Sequence, residues 1–373
     1  MKHRFLMAAL VFGLPLLGLS GCDSLGDKGF SAGDRLGLET FSSAQPASRA
    51  EYAQFATFVN DRVGIVRPGD RPEVVRTLDF GDLSVSDALL DKDGYLWVAT
   101  TDEIGAYGRT PHRRMYRVDP HTAKVDRAIA LPDGLCAPGN LALTPQNVYV
   151  FAWRNGFTFG LGRIDRTTFA VTELSGFDDE GGLGSRDHMV AYGQNAWAFV
   201  SSVEDNTKQY TYTFSNESVR VQGTLNRGYG LVGGEDLYVS TTRLQEASGA
   251  REAFCTIYRH DPITLVEEKA SEERPGVCEP LAYSEGRLYR RHRSASNDEV
   301  EVFDAETLAY LATYNIRSAG TVSNFTFVSP TRLLLSNTRM LNVTNGQLEP
   351  VSFPLDLLPI QNFQLAEDLA LSP

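Results

Sequence analysis

From Glu51 onward the chain is a succession of short apolar or alternating runs, most of four to seven residues, separated by Gly, Pro, Asp and Asn. Runs of that length, rich in Val, Tyr, Phe and Trp, predict strands rather than helices. One run recurs along the chain: 95–100 (YLWVAT), 148–152 (VYVFA), 196–201 (AWAFVS), 237–241 (LYVST), 288–292 (LYRRH) and 333–337 (LLLSN). Anchored on residues 96, 148, 196, 237, 288 and 333, the spacing averages about 47 residues. A period of this size, with four short strands per unit, predicts a β-propeller, in which each twisted sheet buries its faces against its neighbours.

A second recurrent feature is the turn between the third and fourth strands of the unit. It reads Asp-x-x-Thr at Asp119–Thr122, Asp165–Thr168, Asp261–Thr264 and Asp304–Thr307. Asp at the first turn position accepts a hydrogen bond from the backbone two residues on, and Pro at the second presets φ, so these are type I turn signals. Degenerate versions stand at 215–218 and 344–347, and 67–70 (RPGD) makes a seventh.

That seventh turn belongs to a unit with only three strands, about 52–59, 63–67 and 73–80. The missing innermost strand is expected from the other end of the chain, where 368–373 (DLALSP) nearly repeats 140–145 (NLALTP). Pairing the two termini removes the open edges of an unclosed array. The fold expected is therefore all-β: one domain over residues 51–373, a seven-bladed β-propeller closed by N- and C-terminal strands.

Residues 1–21 read as a signal peptide, with Lys2, His3 and Arg4 followed by the apolar stretch 5–19. Residues 19–22 (LSGC) resemble the bacterial lipobox, which implies that Cys22 becomes a lipidated N-terminus, anchored by two or three acyl chains. In enteric-type lipoproteins, Asp after that Cys resembles an inner-membrane retention signal, and Asp23 stands there. Residues 22–50, rich in Gly, Ser, Ala and Asp, then read as the lipidated Cys and a flexible tether, with a reach of about 30 Å. The location expected is the bacterial cell envelope, facing the periplasm or the exterior.

Charge narrows the partner. The net charge of −12 becomes −14 once residues 1–21 are removed, because they carry Lys2 and Arg4 and no acid. Nucleic acid is not expected as a partner, and the membrane is expected to be met through the lipid anchor only. The sequence has no Gly-rich phosphate loop, no Gly-x-Ser-x-Gly, no His-Glu-x-x-His and no haem-attaching Cys-x-x-Cys-His.

In this topology the first-to-second and third-to-fourth connections share one face. The second-to-third and blade-to-blade connections share the other, and they are the long ones: 101–113, 154–160, 203–208 and 242–252. Long irregular loops on one rim predict the binding face. There the innermost strands begin, placing Asp87, Asn140, His188 (beside Asp187), Glu279, Asn324 and Asp368 around the mouth of a central channel. The strand pattern resembles the lactonase-like, quinoprotein-like and gluconolactonase-like propellers. Gluconolactonase-like members hold a divalent metal at the mouth with Glu, Asn and Asp, which that resemblance carries onto Glu279, Asn140 and Asp187 as ligands for Ca²⁺ or Mg²⁺. Asn140 is not followed by Gly, and Glu279 is followed directly by Pro280, both departures from that pattern.

Two basic runs, 111–114 (PHRR) and 290–293 (RRHR), suit either an acidic ligand or pairing with nearby carboxylates. Cys255 and Cys278 fall in neighbouring blades and form the expected disulfide, leaving Cys136 free. The leading expectation is a non-catalytic envelope lipoprotein, with no cofactor, whose loop face binds a protein partner or small ligand. A metal-dependent lactonase-like hydrolase is the alternative, and a quinone-dependent oxidoreductase a third reading, disfavoured by the absence of a repeated cofactor-stacking Trp.

Overall fold

A computed structural model describes residues 40–41 and 55–351, apart from 60, 68, 82, 92, 102–113, 133–134, 155–157, 175–187, 194, 202–208, 215–218, 226–227, 248–249, 265, 294–297, 321, 323–324 and 337. Strands dominate, and Arg317–Ala319 is a single 3₁₀ turn.

The first sheet contains β1 (Thr40–Phe41), β2 (Phe55–Val59), β3 (Arg62–Arg67) and β4 (Glu73–Asp79), in the order β1-β4-β3-β2. Six four-stranded antiparallel sheets follow, each laid down from inside to outside. They are β5 (Ser84–Leu90) to β8 (Lys124–Ala130), with β6 (Leu96–Thr101) and β7 (Arg114–Asp119), then β9 (Leu135–Leu143), β10 (Asn147–Arg154), β11 (Thr158–Asp165) and β12 (Val171–Glu173). Next come β13 (His188–Tyr192), β14 (Asn195–Ser201), β15 (Gln209–Phe214) and β16 (Val219–Leu225). After these lie β17 (Gly228–Gly233), β18 (Asp236–Ala247), β19 (Ala250–His260) and β20 (Glu267–Ala270), with the short β21 (Arg274–Pro275) added to β19. The last two are β22 (Leu281–Ser284) to β25 (Tyr310–Asn315), through β23 (Arg287–Arg293) and β24 (Asp298–Asp304), and β26 (Thr326–Ser329) to β29 (Gln347–Pro350), through β27 (Arg332–Leu334) and β28 (Arg339–Asn342). The architecture is a β-propeller.

Six blades are complete, where the sequence led to an expectation of seven. The first sheet holds the second, third and fourth strands of the unit. Its β3 is a third strand by position: its turn to β4 lies on the tight-turn face, where Gly69 N–H donates to Val328 O and Ser329 Oγ to Asp70 Oδ1 at the end of β26. No strand lies inside β2 among the described residues, and 368–373, expected to supply one, lie outside them. On its outer side this sheet gains β1, from the segment read as a tether, through Thr40 opposite Leu78 and Phe41 opposite Thr77.

Each blade buries its apolar face on the next. Leu89, Trp97, Ala99, Met115 and Ile129 pack against Leu135, Leu141, Val148, Val150 and Ile164 across one such boundary. Val66 packs against Val328, Leu334 and Met340, so the last sheet meets the first and the ring closes there. Two hydrogen bonds reinforce that seam, Gly69 N to Val328 O at 2.6 Å and Ser329 Oγ to Asp70 Oδ1 at 2.7 Å. Burying one such Leu or Ile contributes about 1.5–3 kcal/mol, so the boundaries between blades hold the ring together.

Candidate functional site

The turns of the tight-turn face are locally determined. Asp165 Oδ1 accepts from Thr167 N and Thr168 N at 2.9 and 2.7 Å, Asp261 Oδ1 from Ile263 N and Thr264 N at 2.9 and 2.6 Å, and Asp304 Oδ1 from Thr307 N at 2.7 Å. Thr264 and Thr307 add their hydroxyls to the same oxygens. Backbone donors lead in holding the Asp165 and Asp261 carboxyls below the usual carboxylate range, and the Thr307 hydroxyl leads for Asp304. Four residues after the Asp, the backbone of Ala123, Phe169 and Leu308 turns left-handed, with φ of 55°, 61° and 56°. A buried clasp joins two blades on this face. Asp91 accepts from Trp97 Nε1 at 2.9 Å and pairs with Arg166 at 3.2 Å, while Arg166 also donates to Thr144 O at 2.7 Å.

At the channel, Asp87 is fully buried and its carboxylate is already engaged. Oδ1 accepts from Ala88 N at 2.8 Å and Oδ2 from Leu141 N, in the next blade's inner strand, at 2.7 Å. Burial nevertheless pushes its carboxyl up to about 7, against the lowering effect of those two bonds. Asp87 therefore ties two inner strands together. It reaches the neighbour of Asn140, which is part-buried in β9. Glu279 lies part-buried just before β22, and burial raises its carboxyl against the fields of Arg291 and Arg293, with Asp298 adding to the rise. His188 opens β13. Asp187, Asn324 and Asp368 lie outside the described residues, as do Cys22 and Asp23. Among the described residues no three His, Cys, Asp or Glu side chains converge as a metal site.

The loop face holds the features that the sequence did not reveal. Of residues 242–252, read as an irregular loop, 242–247 and 250–252 form instead the far half of a regular hairpin. β18 and β19 pair over eleven positions without a register shift, from Leu237 opposite His260 to Ala247 opposite Ala250. The stretch reads TRLQEASGARE and has no apolar alternation to signal strands. Likewise 154–160 is largely strand, with Arg154 ending β10 and Thr158 beginning β11.

A strap from Ser271 to Pro280 crosses the base of this hairpin. β21 pairs with Phe254 and Cys255, Gly276 N donates to Ala253 O at 2.7 Å, and Cys278 N donates to Thr242 Oγ1 at 2.9 Å. Cys255 and Cys278 are disulfide-bonded with Cα atoms 5.2 Å apart, and both are buried. Arg243 grips Glu273 through two nitrogens. Gly276, at φ 107°, lies against the His292 imidazole so closely that a Cβ there would fall 2.5 Å from Cδ2.

In the basic run on β23, Arg290 and Arg291 are occupied by intramolecular pairs. Arg290, 1% exposed, donates twice to Glu301, which also accepts from Arg274 at 2.8 Å. Arg291 makes a two-pronged pair with Asp298 at 3.0 and 2.7 Å, and His292 lies 3.7 Å from Glu299. Of the other run, Pro111, His112 and Arg113 lie outside the described residues and Arg114 begins β7.

No family model matches the sequence, and no curated protein matches it. Solved structures do. A prolyl endopeptidase structure aligns at 11% identity over 86% of this chain and 52% of its own, with a TM-score of 0.51; this chain thus spans about half of that one. The dihydro-haem d1 dehydrogenase NirN in complex with DHE aligns at 15% identity over 88% of this chain and 78% of its own, TM-score 0.45. A mitotic checkpoint complex chain aligns at 9% over 97% and 100%, TM-score 0.47. Similarity at this level of identity concerns the fold alone, and the first of these structures supports the β-propeller on which the loop-face hairpin is built.

Proposed function

We propose that this chain is a lipid-anchored protein of the bacterial cell envelope whose propeller binds a protein partner, or a ligand, through its loop face without catalysing a reaction. In this reading residues 1–21 are a cleaved signal peptide, Cys22 carries the acyl chains, and Asp23 favours retention at the inner membrane. Residues 368–371 add the missing strand inside β2, making seven blades. That assignment is supported by the likeness of 368–373 to 140–145, whose Leu141 and Ala142 are fully buried in β9.

The observation that carries the reading is the β18–β19 hairpin. Its far half extends past the inner strand of its own blade, on the face opposite the tight turns, and a disulfide and an Arg–Glu pair hold its base. A pre-ordered element of this kind loses little conformational freedom on binding. The test is capture of partners from detergent-solubilised envelope by the tagged full chain, beside a variant with 244–253 replaced by a short Gly-rich turn. A partner retained by the wild type and lost by the variant supports the reading; equal retention by both overturns it. Lipidation is checked separately, since radiolabelled palmitate is expected to enter the wild type and not Cys22→Ser.

The half-buried Glu279, its carboxyl raised at the channel entrance, keeps a second reading in view: a metal-dependent lactonase-like hydrolase using Glu279, Asn140 and Asp187 with Ca²⁺ or Mg²⁺. Calorimetric binding of either ion to the wild type and not to Glu279→Gln is its test.

A further inference from the structure

We infer that the open edge of β18 from Arg243 to Ala247 is a docking site for an extended segment of a partner protein, which adds to the hairpin as a further strand. This deepens the loop-face reading and rests on it.

The argument starts from strand pairing. β17 covers β18 only from Asp236 to Thr241, so the next six residues have β19 on one side and no strand on the other among the described residues. Among the described residues, the second strand of the other complete blades outruns its inner partner by three residues at most, Arg291 to Arg293 of β23, and β10 is covered as far as Arg154. The opposite edge of the same hairpin is treated differently. β20, β21, and backbone bonds from Ser271 and Gly276 cover β19 down to Ala253.

An uncovered strand carries a row of unpaired N–H and C=O groups, which is the template that an extended peptide completes. Proteins usually blunt such an edge with charged side chains, a proline, a bulge or brevity. Here 242–247 contains no Pro, the hairpin register has no shift and six residues match a typical strand; its charges are Arg243, held by Glu273, and Glu246. The segment is also held in place. Thr242 is buried beneath Cys278, and Arg243 is fixed by Glu273 while keeping half of its side chain exposed. Extended backbone is the occupant that such an edge fits, since side-chain pockets are not needed to satisfy it.

The experiment uses the full chain and, as its probe, a phage library of short unconstrained peptides. In the free chain, amide exchange across 242–247 is expected to alternate, the edge-facing amides exchanging roughly a hundredfold faster than those bonded to β19. Panning is expected to enrich peptides that slow those fast amides. Leu244→Pro and Gln245→Pro form a matched pair, because adjacent strand residues point their N–H groups to opposite sides. One is expected to disrupt the hairpin; the other is expected to leave it folded and weaken peptide binding about tenfold. Uniform protection of 242–247 in the free chain overturns the proposal, since the chain's own residues then cover the edge. Enrichment of no peptide, or of peptides that leave these amides unchanged, also overturns it. A partner from the envelope capture that tolerates the edge proline but not the shortened hairpin would leave the loop face as the binding surface and remove strand addition.

Discussion

The turns of one face of the ring and the hairpin of the other are stabilised at different distances along the chain. On the tight-turn face each Asp-x-x-Thr turn closes on itself, with donor and acceptor two or three residues apart, as at Asp261 and Thr264. On the loop face at the fifth and sixth blades the contacts are long-range: Cys255 with Cys278, 23 residues on, Arg243 with Glu273, Arg274 with Glu301. Local turns can be repeated around a ring because each satisfies its own backbone. The cross-linked hairpin stands apart from that repetition, which is why it is the better candidate for a specific task.

That contrast is broken most severely at the buried ion pair. Glu301→Gln leaves the buried Arg290 guanidinium without its charge partner and is expected to cost about 3–5 kcal/mol in denaturant unfolding. The double change Arg290→Met with Glu301→Leu is expected to recover most of that loss, because it removes both buried charges and leaves only the part-exposed Arg274 without Glu301. Next, replacing Cys255 and Cys278 by Ser is expected to cost about 3 kcal/mol, the scale for a cross-link closing a loop of this length. Exchange of the 242–255 amides should rise with it, while the turn at Asp304 stays protected.

Asp87 sharpens the comparison through pH. Its folded-state carboxyl stands at about 7 against an ordinary value of 3.8, so the folded chain holds this proton more tightly than the unfolded one. Its contribution is fully present below about pH 4 and is lost as pH rises through 7. Between pH 5 and 7 the wild type is expected to lose about 2 kcal/mol that Asp87→Asn does not, read as the difference between their pH–stability curves. The smallest effect belongs to the local face. Asp304→Ala removes an exposed acceptor and is expected to cost under about 1 kcal/mol in thermal melts. The lowered Asp304 carboxyl implies the opposite pH sense: its contribution is present above the ordinary carboxylate range and lost as pH falls into it.

Legibility followed the same division. The recurrent second strands and the Asp-x-x-Thr turns were visible because both arise from residues adjacent in the chain. The sequence also marked the first unit as short of its inner strand, and the first sheet has none among the described residues. The hairpin was not visible. Residues 242–252 lack the apolar alternation of a half-buried strand, and their order comes from pairing with each other and from the strap. For the basic run at 290–293, pairing with carboxylates was one of two open readings, and only spatial neighbours decided it: Glu301, Asp298 and Glu299 lie across the sheet on β24. Asp87 lies in the first strand of its unit, as expected from the sequence, yet its engagement by Leu141 N depends on the next blade.

By itself, then, the sequence determined that the chain is built from repeated antiparallel sheets with self-contained turns, because periodicity and turn chemistry act over a few residues. Which carboxylates are engaged, which arginines are already paired and how far the β18–β19 hairpin extends were decided only by tertiary structure. Those properties depend on what neighbouring blades bring within hydrogen-bonding distance, and desolvation then sets the consequence of each contact.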